Sequence, residues 1–395
     1  MTKKSDAPAI RFKGFSDAWE QRKLGDIADI VGGGTPSTGN QSYWDGDIDW
    51  YAPAEIADQI YANSSQKKIT GLGYENSSAK MLPPGTVLFT SRAGIGKTAI
   101  LTRKGCTNQG FQSIVPHRGE LDSYFIFSRT EELKRYGELV GAGSTFVEVS
   151  GKQMAVMELM MPPTMREQQT IGGFFQQLDN LITLHQRKFE KLTNVKKSML
   201  EKMFPQNGSS YPEIRFKGFT DPWEQRKVSE LFRVTRGYVL AATQTETTKT
   251  DEKPYPVYSS QTKDKGLMGY YKDYLYEDAI TWTTDGANAG TVNYRAGKFY
   301  CTNVCGVLLS NEVKANQMIA EALNSVAKGY VSYVGNPKLM NNVMADIVIQ
   351  IPTQAEEREQ LSSFFAKLDN LITLHQRELE KLQNIKKSML EKMFV

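Results

Sequence analysis

Cysteine and histidine are scarce in this sequence, and long apolar runs are missing altogether. The cysteines Cys106, Cys301 and Cys305 are odd in number, and the CTNVC pair lacks the second pair that a zinc site needs. We therefore predict reduced thiols and no metal site. No run approaches the length of about 18 apolar residues that a membrane span requires, and the N-terminal MTKKSDAPAI lacks the apolar core of a secretion signal. A cytoplasmic protein is expected.

Sequence motifs of catalysis are missing as well. The chain has no HExxH metalloprotease motif, no GxSxG nucleophile elbow and no NPPY-like run of an amino-methyltransferase. Two of the three histidines lie in a helical stripe, where a structural role is favoured. The formal charge of +4 permits a nucleic-acid partner but does not indicate one by itself. We therefore expect no catalytic residues in this chain.

Two nearly identical stretches, residues 178–204 and 368–394, organise the chain; both begin LDNLITLHQR and end KKSMLEKMF. Apolar residues recur in them at alternating spacings of three and four, which predicts long helices with one apolar stripe. The helices should begin at Met165 and Ala355, after the proline-containing runs MPPT and IPTQ. Each would be roughly 60 Å long. Each stripe needs a partner, and the obvious partner is the other copy.

A histidine occupies the same position of the stripe in both copies. If the helices pack antiparallel, His185 and His375 lie near the middle of each helix and should approach each other across a pseudo-twofold axis. The residues predicted to hold the two helices together as a spacer are Leu178, Ile182, His185, Leu192, Leu368, Ile372, His375 and Leu382.

A second repeat marks where each globular domain begins. IRFKGFSDAWEQRK at residues 10–23 returns as IRFKGFTDPWEQRK at residues 214–227, whereas the segments between the repeats diverge. We expect an α/β (α+β) fold with two globular domains separated by two long helices, packed as an antiparallel coiled coil with a pseudo-twofold internal repeat. The predicted boundaries are 1–163 for the first domain, 164–204 for the first helix, 205–213 for a linker, 214–353 for the second domain and 354–395 for the second helix.

Both inserts contain short strands separated by glycine turns. TVLFT, AILT and TNQGFQSIV in the first insert correspond to AITWTT, VNYR and TNVCGVLLS in the second. One amphipathic helix is predicted from Ser123 to Gly141, followed by a polar loop, GAGSTFVEVSGKQM. A helix from about Asn311 to Tyr330 is predicted in the second insert, followed by the loop VGNPKLMNNVM. A shared scaffold with different loops is the pattern expected of two domains that recognise different ligands.

The loops of both inserts are rich in side chains that bind phosphates and base edges. Any one of them is more often an ordinary solvated residue, but their recurrence in corresponding loops favours the set. The aromatic residues Tyr43, Trp44 and Trp50 either stack on a nucleic acid or pack the loop. The residues predicted to bind nucleic acid are Thr35, Ser37, Thr38, Tyr43, Arg92, Lys97, Gln109, Ser144, Lys152, Arg236, Tyr238, Gln261, Lys263, Asn288, Arg295, Asn336 and Lys338.

The segment AGIGKT at residues 93–98 is similar to the end of a phosphate-binding loop. Gly96, Lys97 and Thr98 fill the last three positions of GxxxxGK[ST], but Ser91 stands where the first glycine is required. A turn that presents Arg92 and Lys97 to a phosphate backbone is favoured. A nucleotide-binding enzyme is the weaker alternative, and a scaffold whose inserts bind proteins is another.

Taken together, the pattern resembles the specificity subunit of type I restriction-modification enzymes over essentially the whole chain. The motifs that carry the resemblance are the openings WEQRKLGDI and WEQRKVSEL, GGGTPSTGN with YWDGDIDW, SRAGIGK with TNQGF, TTDGANAGTV, and the twin helices ending in EKMF. The resemblance implies two target-recognition domains held apart by two conserved helices in an antiparallel bundle. Each domain would read one half of a bipartite, gapped and asymmetric site on double-stranded DNA, with equivalent grooves roughly 34 Å apart per duplex turn.

The resemblance also implies partners and cofactors for a bacterial complex. Two modification (methyltransferase) subunits would bind the helices and carry S-adenosylmethionine. Restriction subunits, where present, would add translocation and cleavage that use ATP and Mg. This chain would hold no cofactor itself. The apolar residues expected to remain on the helices for these partners are Phe174, Leu181, Leu184, Phe364, Leu371 and Leu374.

Overall fold

The computed structural model describes residues 7–57, 59–92, 94–142, 148–206, 208–260 and 263–394. The chain divides into two compact units. The first comprises residues 1–185 and 378–395, and the second comprises residues 186–377. Each unit therefore combines one globular domain with one end of each long helix.

The first domain is built on two main sheets and one separate two-stranded sheet. Its strands are β1 (Glu20–Lys23), β2 (Ala28–Gly32), β3 (Trp44–Tyr51), β4 (Tyr61–Ala62), β5 (Lys67–Ile69), β6 (Val87–Phe89), β7 (Thr98–Leu101), β8 (Cys106–Thr107), β9 (Gln112–Pro116) and β10 (Glu158–Met161). Its helices are α1 (Leu24–Ile27), α2 (Gly71–Glu75), α3 (Ser123–Ser128), α4 (Thr130–Gly141) and α5 (Gly151–Ala155). One sheet has the order β2-β9-β6-β7-β4 and the other β5-β3-β8. The short apolar strands β6 and β7 are buried throughout, which explains why they lack a polar alternation.

The first long helix, α6 (Met165–Met203), leads to the second domain. The strands of that domain are β11 (Glu224–Lys227), β12 (Phe232–Arg236), β13 (Tyr255–Tyr258), β14 (Leu267–Tyr271), β15 (Tyr276–Thr283), β16 (Val292–Cys301), β17 (Cys305–Ser310) and β18 (Val348–Ile351). Its helices are α7 (Val228–Leu231), α8 (Gln317–Val326) and α9 (Asn341–Asp346), and the second long helix is α10 (Ala355–Met393). The main sheet has the order β12-β17-β15-β16-β13-β14. The predicted starts of the long helices, Met165 and Ala355, are confirmed.

The helix predicted from Ser123 to Gly141 is divided in two at Arg129. Arg129 has φ −94° and ψ 17°, which ends α3 and precedes α4. Its guanidinium group is buried and donates to the Glu132 carboxylate at 2.7 Å and 3.0 Å and to the carbonyl of Met160 at 2.6 Å. The interruption turns this arginine inward, toward the strand that precedes the long helix.

Two further predictions of local structure are corrected. The helix expected from about Asn311 begins only at Gln317, because the Asn316 side chain caps it by accepting from the Ile319 amide at 3.1 Å. Each domain has one predicted polar loop before its last strand, and each of these loops contains a short helix: α5 in the first domain and α9 in the second. Ser150 starts α5 with a capping box shared with Gln153.

The repeated WEQRK motif joins the start of each domain to the strand that precedes its long helix. Strand β1 pairs antiparallel with β10, and β11 pairs in the same way with β18, so each motif lies beside the strand that leads into a long helix. Glu167, in the first turns of α6, accepts two bonds from Arg11 at 2.6 Å and 2.7 Å and a third from the indole N–H of Trp19 at 3.3 Å. In the second unit, Glu357 accepts two bonds from Arg215, both at 2.7 Å.

The two long helices run antiparallel, as their contacts within each unit show. In the first unit, Asp179 of α6 pairs with Lys386 of α10 at 2.6 Å. In the second unit, Lys196 of α6 pairs with Asp369 of α10 at 2.7 Å and with Glu321 of α8 at 2.6 Å. Burial opposes the charge of Lys196, but the two carboxylates outweigh it and raise the pKa of Lys196.

The predicted spacer residues differ in their burial. Leu178 and Leu368 are buried. Ile182, Leu192, Ile372 and Leu382 are half-buried, as are His185 and His375. The two histidines belong to different units, so their approach to each other stays a prediction.

We predict that Glu357→Gln lowers the free energy of unfolding by about 2 to 4 kcal/mol. The Arg215 side chain is only 13% exposed, and the substitution removes its charge partner. Urea unfolding of the wild-type and variant chains measures the change. Glu359→Gln, an exposed glutamate two residues along the same helix, is the matched control. Equal unfolding midpoints for the two variants would contradict the assigned role of Glu357.

Candidate nucleic-acid interface

In the first domain, four backbone segments meet beside the ends of β2, β6 and β9. We call them the first loop cluster: Gly34–Thr35, Ser91–Arg92, Thr107–Gly110 and Glu148–Val149. Backbone N–H groups of Gly34, Ser91 and Val149 donate to the carbonyls of Thr107, Gly110 and Ser91 at 2.8, 2.8 and 3.0 Å. A Cβ at Gly33 would lie 2.0 Å from the Asn108 carbonyl oxygen, so the close approach of these two segments requires glycine at this position.

The first loop cluster brings together three residues predicted from the sequence. The Thr35 hydroxyl donates to the side-chain carbonyl of Gln109, and Gln109 is exposed. Arg92 is half-buried and forms an isolated backbone bridge with Glu148. The cluster thus presents a hydroxyl, an amide and a guanidinium group from three separate segments, the donor and acceptor types that bind phosphates and base edges.

The second domain has a matching set of segments. The second loop cluster consists of Arg236–Tyr238, Thr284–Asn288, Cys301–Cys305 and Pro337–Leu339. The N–H groups of Gly237, Thr284 and Leu339 donate to the carbonyls of Cys305, Val304 and Thr284 at 3.0, 3.0 and 2.9 Å. A Cβ at Gly237 would lie 2.2 Å from the Cys301 carbonyl oxygen, which repeats the crowding at Gly33.

Each loop cluster contains one isolated backbone bridge at the same place, but the order of the charged residues along the chain is reversed between the two bridges. Arg92 is bridged to Glu148 in the first cluster, whereas Asp285 is bridged to Lys338 in the second. The Lys338 ammonium group also lies 3.8 Å from the Asp285 carboxylate. Equivalent backbone positions therefore offer a cation in one domain and an anion in the other.

Several predicted residues lie on the surface of the second loop cluster or next to it. Arg236, Tyr238 and Lys338 are exposed within the cluster, and Asn336 is exposed immediately before it. The Arg236 carbonyl accepts from the Tyr276 hydroxyl at 2.6 Å, which fixes the end of β12. These side chains are exposed while their backbone is held.

Two predicted contact residues of the second domain donate hydrogen bonds to distant backbone carbonyls. Arg295 is 7% exposed; it donates to the Thr281 hydroxyl at 3.0 Å and to the Lys265 carbonyl at 2.6 Å, and its guanidinium carbon lies 3.6 Å from the centre of the Tyr258 ring. Burial lowers the pKa of Arg295. Asn288 donates to the Ser260 carbonyl at 3.2 Å. Their bonds hold the backbone at Ser260 and at Lys265, and contact of these two residues with DNA stays a prediction.

The remaining predicted residues are not members of the two loop clusters. Ser37, Thr38 and Lys152 are exposed, the first two in the glycine-rich loop and the third on α5. Lys263 begins a short 3-10 helix that ends at Gly266. Ser144 and Gln261 lie outside the described residues.

The tryptophans of the glycine-rich loop pack its backbone. The indole N–H of Trp44 donates to the Ser37 carbonyl at 3.1 Å, and that of Trp50 donates to the Gly34 carbonyl at 2.8 Å. The two rings form an edge-to-face pair with centroids 5.1 Å apart. Tyr43 is half-buried at the end of a 3-10 helix, and its carbonyl accepts from the Thr70 amide. These contacts favour the packing interpretation for Trp44 and Trp50.

The GIGKT segment connects two antiparallel strands. Strand β6 pairs with β7, and β7 begins at Thr98. A phosphate-binding loop instead leads from a strand into a helix whose N-terminus faces the phosphates, so the nucleotide-binding alternative loses its structural basis. Lys97 is exposed in this hairpin, and the neighbouring Gly96 packs against Lys134 of α4. The Lys97 backbone pairs with Thr90, the residue immediately before the Ser91–Arg92 segment, through hydrogen bonds of 2.9 Å and 3.0 Å.

The cysteines are free and buried. Burial raises the pKa of Cys106 to about 11 and that of Cys305 to about 11, and it also raises the pKa of Cys301. Thiols with raised pKa values are poor nucleophiles and poor metal ligands at neutral pH. Within the described part of the chain, no group of histidine, cysteine and acidic side chains is arranged to hold a metal ion. Among the same residues, no helix is both long and apolar enough to cross a membrane.

Sequence reasoning missed the exposed apolar side chains near the second loop cluster. Val239, Tyr333 and Val334 are 78%, 70% and 93% exposed. The available signal was the segment SYVGNPK, in which glycine, asparagine and proline indicate a turn that carries a tyrosine and a valine.

Comparisons with known proteins agree with this architecture. The family model described as the type I restriction modification DNA specificity domain matches residues 16–194 and again residues 220–384. The MjaIX specificity subunit of Methanocaldococcus jannaschii is 31% identical over 228 residues, which are 55% of this chain and 52% of that protein. The MpnII specificity subunit of Mycoplasma pneumoniae is 29% identical over 181 residues, which are 42% of this chain and 53% of that protein. The alignments thus span about half the length of these relatives.

A solved structure shows the same fold over nearly the whole chain. It is the crystal structure of a type I restriction-modification system S subunit from M. genitalium, with a TM-score of 0.71 and 14% sequence identity; the match covers 98% of this chain and 99% of that chain. Two copies of the family's domain, each joined to a long helix, account for both units. The chain belongs to the family of type I restriction-modification DNA specificity subunits.

Proposed function

We propose that this chain is the sequence-specific DNA-binding subunit of a type I restriction-modification complex. Each target-recognition domain reads one half of a bipartite, gapped and asymmetric DNA site. Partner subunits then methylate adenines at that site or cleave the DNA. The observation that carries the proposal is the pair of loop clusters, which have a similar backbone arrangement but different side chains.

The difference between the clusters supports an asymmetric site. Base edges in the major groove are distinguished by the positions of donors and acceptors. The first cluster offers Gln109 and Arg92, whereas the second offers Arg236, Tyr238 and Lys338. Two readers with different donors and acceptors select different half-sites, and each wrong base pair costs about 1 to 3 kcal/mol.

Exposed leucines on the long helices support two copies of one partner. Leu181 and Leu184 of α6 are 45% and 46% exposed, and Leu371 and Leu374 of α10 are 44% and 51% exposed. Residues three apart share a helix face, so each unit carries one apolar pair. Phe174 and Phe364 are less available, because Phe12 and Phe216 cover them with centroids 5.7 Å and 6.2 Å away. We assign each leucine pair to one methyltransferase subunit.

In this proposal the chemistry belongs to the partners. The methyltransferase subunits bind S-adenosylmethionine, and restriction subunits, where present, use ATP and Mg. The chain itself acts in the cytoplasm of a bacterium, holds no cofactor and performs no catalysis. Adenine methylation requires the target base to leave the stack, so the duplex opens locally while a partner takes the base.

The proposal is tested by mapping methylated adenines with long-read sequencing in cells that make this chain and in the same cells without it. We expect a gapped, asymmetric motif that is methylated only when the chain is made. Exchange of the second domain for that of a relative should change one half of the motif and leave the other. If methylation is the same with and without the chain, the proposal fails in favour of a protein-binding scaffold.

We predict that Arg236→Ala weakens binding of the assembled complex to its DNA site about tenfold and lowers the salt slope by about one, because one cation leaves the interface. Fluorescence anisotropy titrations at several salt concentrations measure both quantities. Lys314→Ala is the matched control, since Lys314 is exposed beyond the opposite end of β17. An unchanged salt slope for Arg236→Ala would remove Arg236 from the interface.

We also predict that Leu371→Asp with Leu374→Asp reduces the number of methyltransferase subunits per chain from two to one, because charge on the apolar pair opposes docking. Native mass spectrometry of the purified complex counts the subunits. Leu181→Asp with Leu184→Asp should have the same effect. Leu72→Asp, at a leucine that is 50% exposed on α2, should leave both copies bound.

A further inference from the structure

A short turn beside the second loop cluster carries two highly exposed apolar side chains. Ser332 and Lys338 exchange two backbone hydrogen bonds, at 2.8 Å and 2.9 Å, and so close the turn at residues 333–337. Tyr333 and Val334 lie at its tip, 70% and 93% exposed. Gly335 follows with φ +77°, a left-handed conformation that suits glycine.

The base of this turn is fixed to the domain. The Gly286 amide donates to the Pro337 carbonyl at 2.9 Å, and the Leu339 amide donates to the Thr284 carbonyl at 2.9 Å. The buried Trp282 side chain donates its indole N–H to the Leu339 carbonyl at 3.1 Å. The two apolar side chains are therefore held out in water by a backbone that has little freedom to fold them back, and nothing in the stability of the domain explains their position.

The residues around the turn favour a nucleic-acid partner. Asn336 and Lys338 flank the tip and are exposed, and Lys338 belongs to the second loop cluster together with Arg236. A cation and an amide beside an apolar tip are suited to phosphates and base edges.

We propose that Tyr333 and Val334 form a wedge that enters a groove of the DNA duplex and pushes between two adjacent base pairs of the half-site read by the second domain. This inference rests on the proposed function and adds a mode of recognition to it. Proteins that insert apolar side chains at a base step unstack it and bend the duplex. The energy of the distortion depends on the sequence of the base step. The wedge therefore selects flexible steps, and it does so without forming hydrogen bonds to their bases.

The wedge is tested with the assembled complex and a duplex that contains its mapped site. The fluorescent base 2-aminopurine is placed at positions of the second half-site other than the methylated adenine, so that extrusion of the target base does not contribute. Binding of the wild-type complex should raise the fluorescence at one step, because unstacking removes quenching. Tyr333→Ser with Val334→Ser should abolish that rise and weaken binding about tenfold to a hundredfold.

Three comparisons separate the wedge from other roles. The double variant should keep the wild-type salt slope, because it removes no charge. Tyr333→Phe should bind like the wild type, because the ring is kept. Leu139→Ser, at a leucine that is 76% exposed in the first domain, should change neither affinity nor fluorescence.

Two outcomes would overturn the wedge while leaving the proposed function intact. One is wild-type affinity and fluorescence in the double variant. The other is loss of a methyltransferase subunit from the double variant in native mass spectrometry, which would make the turn a protein contact. Failure of the proposed function is recognised separately, because the wild-type complex would then show no preference for the mapped duplex.

Discussion

Each globular domain depends on one buried carboxylate at the start of a long helix. Glu167 and Glu357 each have a side chain that is 1% exposed, and each is paired with an arginine from the repeated N-terminal motif. A buried charge is tolerable only when it is paired and hydrogen-bonded, so the motif and the helix must be present together. The second copy is slightly less complete: Trp19 donates to Glu167, whereas the indole N–H of Trp223 has no hydrogen-bond partner among the described residues. This requirement accounts for the presence of the arginine and glutamate pair in both copies.

The loops are under a different constraint. Their backbone segments approach closely at glycines and are held together by backbone hydrogen bonds. These bonds do not depend on the identity of the neighbouring side chains. The inverted bridge, Arg92 with Glu148 and Asp285 with Lys338, shows how far the side chains change on one backbone arrangement. Recognition chemistry can therefore diverge between the domains at little cost to either core.

The repeated frame could be predicted from the sequence, whereas the hydrogen-bond partners of the loop side chains could not. Helix starts at Met165 and Ala355 followed from proline and apolar spacing, which are local signals. Arg129 could not be recognised as a helix break, because its cause is a long-range bond to the Met160 carbonyl. The burial of Arg295 and the bond from Asn288 to the Ser260 carbonyl depend on partners that are distant in the sequence, which no local pattern indicates. Tyr333 and Val334 were passed over because apolar residues are expected in a core, and only the closed turn shows that they lie outside it.

The composition of the first unit has a consequence for biosynthesis. Met393 is part of the buried core of the first domain, Phe394 stacks on Phe175 with ring centroids 5.8 Å apart, and the Ile10 amide donates to the Lys392 carbonyl at 2.9 Å. During translation the first domain emerges long before these residues are made, and it waits with an open apolar face that resembles a folding intermediate. The second domain meets no such delay at its own Met203, which precedes it in the chain. The domain that is synthesised first is thus completed last, and chaperones have the longest access to the half of the protein that the ribosome releases earliest.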